Sequence, residues 1–97
     1  MEVTLEPSFS SCIETVAKAQ YERVLSVLLK GKKEDEGLEQ ELELLRVFLE
    51  SADFRQLRSF SEPALLEGGR VFFILRPTNG APGYEIEMKT DVIERER

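Results

Sequence analysis

Residues 70–76 read Arg70-Val71-Phe72-Phe73-Ile74-Leu75-Arg76, and residues 84–90 read Tyr84-Glu85-Ile86-Glu87-Met88-Lys89-Thr90. These two stretches decide the fold. Successive side chains of a strand point to opposite faces, so Tyr84, Ile86 and Met88 share one face and Glu85, Glu87 and Lys89 the other. That alternation predicts a half-buried strand whose outward charges guard a sheet edge. Val71 to Leu75 is apolar at every position, which predicts a central strand covered on two sides. Between them, Pro77-Thr78-Asn79-Gly80-Ala81-Pro82-Gly83 is dense in turn formers, and Asn79-Gly80 suits positive φ. The C-terminal third therefore reads as a β-hairpin.

Working outward, Val3-Thr4-Leu5 alternates and is stopped by Pro7, which predicts a short strand able to flank the central one. Ser8, Ser10 and Ser11 offer N-caps, and Ser11 with Glu14 fits a capping box. The helix that follows runs to Lys30, closed by Gly31, with Lys30, Lys32 and Lys33 complementing its C-terminal dipole. At about 100° per residue, Ile13, Val16, Ala17, Val24, Val27 and Leu28 form one stripe. Tyr21, Leu25 and Leu29 widen it beyond what a single contact needs. Lys30 to Gly37 is a charged linker.

A second helix is expected over Leu38–Ser51. Leu38, Leu42, Leu45, Leu49 and Ala52 form its apolar row, Leu44, Val47 and Phe48 extend it, and Glu39, Glu43, Arg46 and Glu50 lie opposite. Ser51 or Asp53 caps a third, shorter helix holding Phe54, Leu57 and Phe60. Ser61 then caps a further turn with Pro63 in its first positions, and Gly68-Gly69 ends it; Pro63 predicts a break. The expected fold is α+β, in the order β-α-α-α-β-β. Two long amphipathic helices and a short third pack on one face of a small antiparallel sheet that ends in the hairpin. The chain has 97 residues, which fits one domain, expected over 1–90 with 91–97 a frayed tail.

Composition excludes several function classes. The net charge is −6, with eleven acids and six bases in residues 1–50 and eight acids and seven bases in 51–97. Non-specific attraction to phosphate backbones or anionic lipid is not expected from that balance. No apolar run approaches a membrane span, and Met1–Glu6 lacks the basic start of a signal peptide. Cys12 is the single cysteine, so no internal disulfide can form and the cytoplasm is the expected compartment. With no histidine in the chain to activate it, Cys12 reads as a part-buried helix residue rather than a nucleophile.

Other candidate chemistry is sparse. Glu39 and Glu43 stand one turn apart but lack the further ligands of a metal site, and Glu34-Asp35-Glu36 lacks the oxygen spacing of a calcium loop. Gly68-Gly69 follows a helix and precedes a strand, the reverse of a phosphate cradle. Arg55 and Arg58 share a helix face and are a possible anion contact, which Arg70 could join. No catalytic residue, metal or cofactor is expected.

Three helices followed by a hairpin is also the order of a winged-helix DNA-binding domain. On that resemblance Leu38–Ser51 and Ser51–Ser61 form the helix-turn-helix, Pro77–Gly83 is the wing, and Arg55 and Arg58 face the DNA. The acidic balance and a wing tip without Lys or Arg oppose it. The surplus of apolar positions favours a non-catalytic protein-interaction or regulatory module, a homodimer or a small subunit of an assembly. Its expected interface residues are Tyr21, Leu25, Leu29, Leu44, Val47, Phe72 and Ile74. An acidic winged-helix-like nucleic-acid binder is the alternative, with nucleic acid and membrane not expected as partners.

Overall fold

The strand with the apolar run, β2 (Arg70–Pro77), is the middle of a three-stranded antiparallel sheet, flanked by β1 (Val3–Leu5) and β3 (Tyr84–Asp91). The structure is a computed structural model that describes residues 1–31, 35–51, 54–79 and 83–91. Three helices connect the first strand to the hairpin: α1 (Ile13–Lys30), α2 (Glu36–Ser51) and α3 (Phe54–Leu66). The fold is thus α+β in the order β-α-α-α-β-β. Register places Val3 opposite Leu75 and Leu5 opposite Phe73 on one side, and Phe73 opposite Met88 and Leu75 opposite Ile86 on the other.

One face of this sheet carries the core. Val71, Phe73 and Leu75 are fully buried, joined by Val3 and Leu5 from β1, Ile13, Ala17 and Val24 from α1, and Leu44, Leu45 and Phe48 from α2. Phe54, Leu57, Ala64 and Leu65 of α3 pack at its margin. The expectation that β2 is covered on both sides is corrected here. Phe72 and Ile74 are only half-buried, since the helices share one core with Val71, Phe73 and Leu75. Across the ladder Phe72 and Ile74 meet Lys89, Glu87 and Thr4, which are polar and can stay in water.

Cys12, not Ser11, is the N-cap residue of α1. The Ser11–Glu14 capping box does not form because Ser11 is engaged with Ser8. Their backbones exchange hydrogen bonds of 2.9 and 3.1 Å, and their hydroxyls lie 2.9 Å apart. At the other end Gly31 closes α1 in an extended conformation (φ −74°), its N–H donating to the Val27 carbonyl at 2.9 Å. Lys32 and Lys33 lie outside the described residues. The inferred stripe was too wide. Ile13, Ala17 and Val24 are buried, whereas Val27 and Leu29 are 49% and 78% exposed.

α2 begins at Glu36, two residues before the expected start, because Asp35 caps it. Its Oδ1 accepts the N–H groups of Gly37 at 3.0 Å and Leu38 at 3.3 Å, satisfying donors that a helix start leaves open. The buried row is centred on Leu44, Leu45 and Phe48, with Leu38, Leu42 and Leu49 at its margin. Ala52 and Asp53 lie outside the described residues. Ser51 ends α2 rather than capping α3. Its hydroxyl donates to the Phe48 carbonyl at 2.6 Å, so the Tyr84 hydroxyl, 2.7 Å away, donates to it. Tyr84 also meets Phe48 edge-on, with ring centroids 5.3 Å apart. That arrangement adds about 0.5–1.5 kcal/mol beyond area burial and ties α2 to the start of β3.

α3 is one helix with Pro63 inside it, so the expected break is absent. Proline lacks the N–H that would bond the Ser59 carbonyl, yet the helix continues past it to Leu66, and Glu67 N–H reaches the Pro63 carbonyl at 3.2 Å. Ser61 caps nothing. It is buried, and its hydroxyl turns back to the Arg58 carbonyl at 3.2 Å. Phe60 is exposed. The helix ends as the glycine pair predicts. Gly68 has φ +80°, its N–H bonds Leu65, and the Gly69 N–H bonds the Ala64 carbonyl at 2.9 Å, a Schellman ending. β2 and β3 each run one residue past their expected ends, to Pro77 and Asp91. Residues 80–82 and 92–97 lie outside the described residues, so the turn centre and the expected frayed tail past Asp91 are not described.

Candidate interaction surfaces

The apolar positions singled out in the sequence separate into three places. Tyr21 packs against the margin of the core, Leu25 is half-buried and Leu29 stands out from the end of α1. Leu44 is taken up by the chain's own core, with 4% exposure. Phe72 and Ile74 lie on the sheet face that the helices leave open.

That open face is laced with charge pairs. Arg76 reaches Glu2 at 2.7 Å and Glu87 at 3.0 Å, bridging all three strands. Arg70 reaches Glu6 at 2.9 Å and lies over the Phe72 ring, 4.9 Å from its centroid. Arg76 beside it, by hydrogen bond and by charge, holds the Glu2 carboxyl below the usual carboxylate value. Hydrogen bonds to Glu2 and Glu87 push the Arg76 guanidinium up. Isolated exposed pairs of this kind contribute little; these link β2 to the residues flanking β1 and to β3.

Val47 and Leu44 form part of a cleft of about 400 Å³ between α2 and the hairpin turn, closed by Met1, Pro77, Thr78 and Gly83. Glu36, Glu39 and Glu43 edge it. Glu43 is held by Arg46, which also bonds Glu50 at 2.8 Å, and the Arg46 hydrogen bond lowers the Glu43 carboxyl. Among the described residues no group of three or more His, Cys, Asp or Glu side chains is placed to hold a metal ion.

Arg55 and Arg58 do come together. With Cys12, Glu14 and Phe54 they line a hollow of about 240 Å³ at the start of α1. Arg58 also borders a neighbouring hollow of about 280 Å³ walled by the Pro7–Cys12 segment, Thr15, Ser61 and Leu65. Cys12 Sγ lies 3.4 Å from Thr15 Oγ1. The Thr15 hydroxyl, then the backbone N–H of Thr15 and that of Glu14, lower the thiol below its ordinary value. Arg70 does not join this pair, being tied to Glu6 on the open sheet face. Sequence reading passed over this hollow because its polar wall comes from the Ser8–Ser11 bridge, and no periodicity encodes that bridge. Among the described residues, no helix is long and apolar enough to cross a membrane.

With the α+β class and its surfaces in place, comparison with other proteins adds kinship. The chain belongs to the protein family whose sequence profile matches residues 1–79, a span that holds β1, the three helices and β2 and stops before β3. Over 60 residues it is 48% identical to a protein of Archaeoglobus fulgidus described as uncharacterized. The match covers 60% of this chain and 69% of that one. No solved structure matches the chain.

Proposed function

We propose that this chain is a non-catalytic interaction or regulatory module of the cytoplasm that works by self-association. The observation that carries the reading is the apolar surface that folding leaves partly uncovered on the open sheet face, where half-buried Phe72 and Ile74 lie between Glu–Arg pairs. Contiguous uncovered apolar groups rimmed by charge mark interaction sites on small proteins. The reading is further supported by chemistry. The chain has no histidine to serve as general base for Cys12.

Sedimentation equilibrium of the full chain at micromolar concentration tests this. A dimer or larger species is expected. A clean monomer across that range would overturn the self-association reading. Salt-sensitive submicromolar affinity for duplex DNA, lost in the Arg55→Ala, Arg58→Ala double variant, would replace it with nucleic-acid binding.

A further inference from the structure

The two hollows at the start of α1 meet at Arg58 and Cys12, and their walls divide by chemistry. In a chain of net charge −6, an arginine readily finds a carboxylate. Arg46, Arg70 and Arg76 each hold a glutamate, and Arg23 bonds Gln20. The guanidinium groups of Arg55 and Arg58 have no partner among the described residues, although Glu62 stands one turn beyond Arg58 on the same helix. Glu14, the carboxylate on the wall of the smaller hollow, is paired with Lys18 at 3.0 Å. Two uncommitted guanidinium groups on one helix face offer forked donors, and forked donors match the oxygens of a phosphate.

The larger hollow differs. Ser8, Ser10 and Ser11 line it, and their hydroxyls share two hydrogen bonds, Ser8 to Ser10 at 3.1 Å and Ser8 to Ser11 at 2.9 Å. Three hydroxyls carry three protons, so one O–H of this set is left over to donate, and the oxygens keep lone pairs to accept. The backbone bridge between Ser8 and Ser11 holds that wall in place. Glu62 adds an acceptor, and Phe9, 74% exposed, adds an aromatic ring. Hydroxyls, a carboxylate and an uncovered ring face suit a molecule with several hydroxyls and a C–H-rich face. They do not suit a second anion, which Glu62 repels.

We propose that the joined hollows bind a small phosphorylated sugar, its phosphate held by Arg55 and Arg58 and its hydroxyls by the serine wall and Glu62, with Phe9 against the sugar ring. The site shares no residue with the open sheet face, so a monomeric chain would leave it standing.

Calorimetric titration of the full chain with inorganic phosphate, ribose, ribose 5-phosphate and a short DNA duplex tests this. Ribose 5-phosphate should bind about tenfold more tightly than inorganic phosphate, and ribose more weakly than either. Arg58→Gln should weaken both phosphate-bearing probes about tenfold. Glu62→Gln and Phe9→Ala should each weaken ribose 5-phosphate several-fold and leave inorganic phosphate no weaker, a split that a damaged fold or a change in overall charge would not produce. Far-UV circular dichroism and urea midpoints confirm that each variant folds. Absence of ribose 5-phosphate binding at millimolar concentration would overturn the proposal, as would equal affinity for phosphate and its sugar ester. Duplex DNA that binds more tightly than ribose 5-phosphate, and is lost in Arg58→Gln, would replace the sugar phosphate with a nucleic-acid backbone.

Discussion

The two rows of side chains on β2 come from one unbroken apolar run and meet opposite fates. Val71, Phe73 and Leu75 are sealed beneath the helices at 0% exposure, while Phe72 and Ile74 are left half-covered among Glu–Arg pairs. What separates the rows is the pairing across the ladder. The inner row meets Val3, Leu5, Ile86, Met88 and Thr90, mostly apolar, and the outer row meets Thr4, Glu87 and Lys89. An apolar run by itself does not say which face a domain covers. Its strand neighbours do.

The comparison can be broken most forcefully at Phe73. Phe73→Ala should cost about 3–5 kcal/mol of stability by urea unfolding, because truncating a sealed ring leaves a cavity. A near-neutral result would place the core elsewhere. Next comes the turn that delivers α3 to β2. A Cβ on Gly69 would sit 2.9 Å from the Ala64 carbonyl oxygen. Gly69→Ala should therefore cost about 1–3 kcal/mol, and a neutral variant would mean that this helix ending tolerates opening. On the outer row, Phe72→Ala should cost only about 1 kcal/mol, part of the value for full burial. A loss as large as that at Phe73 would erase the distinction between the faces.

Acid titration should have the smallest effect and sharpen the outer face alone. The Glu2 carboxyl is lowered by Arg76, so its stabilising contribution is present above the ordinary carboxylate range and is lost as pH falls through its folded value. Removing the partner should flatten that acid limb slightly in Arg76→Gln, read as urea midpoints between neutral and acid pH. An unchanged limb would show that the pair contributes nothing there.

Much of this arrangement was legible in the residues. β1 was placed at its observed bounds, β2 and β3 to within a residue, and the end of α1 at Lys30, because alternation and glycine or proline stops act locally. The misread features depend on tertiary partners. Ser11 looked like a capping residue, but Ser8 claims it. Asp35 was hidden in a run of like charges, where its short side chain rather than its charge makes it a cap. Pro63 looked like a break, yet the packing of Leu57, Ala64 and Leu65 on the core carries α3 through it. The helices lie on one face of the sheet as expected, but a second cover over Phe72 and Ile74 was read into the apolar run, which does not reveal what flanks the strand. Of the candidate surface residues, spacing pairs Arg55 with Arg58, and Leu44, on the extended apolar face of α2, lies in the core rather than at an interface.

On the self-association reading, a second copy covers the apolar groups that folding leaves open on the sheet. The urea midpoint of the wild-type chain, measured at two protein concentrations about a hundredfold apart, tests it most directly. If folding and association are linked, the higher concentration stabilises the dimer by about 2.7 kcal/mol and the midpoint rises. A midpoint that does not move with concentration, in the wild type and in both Phe72→Ala and Phe73→Ala, would contradict it.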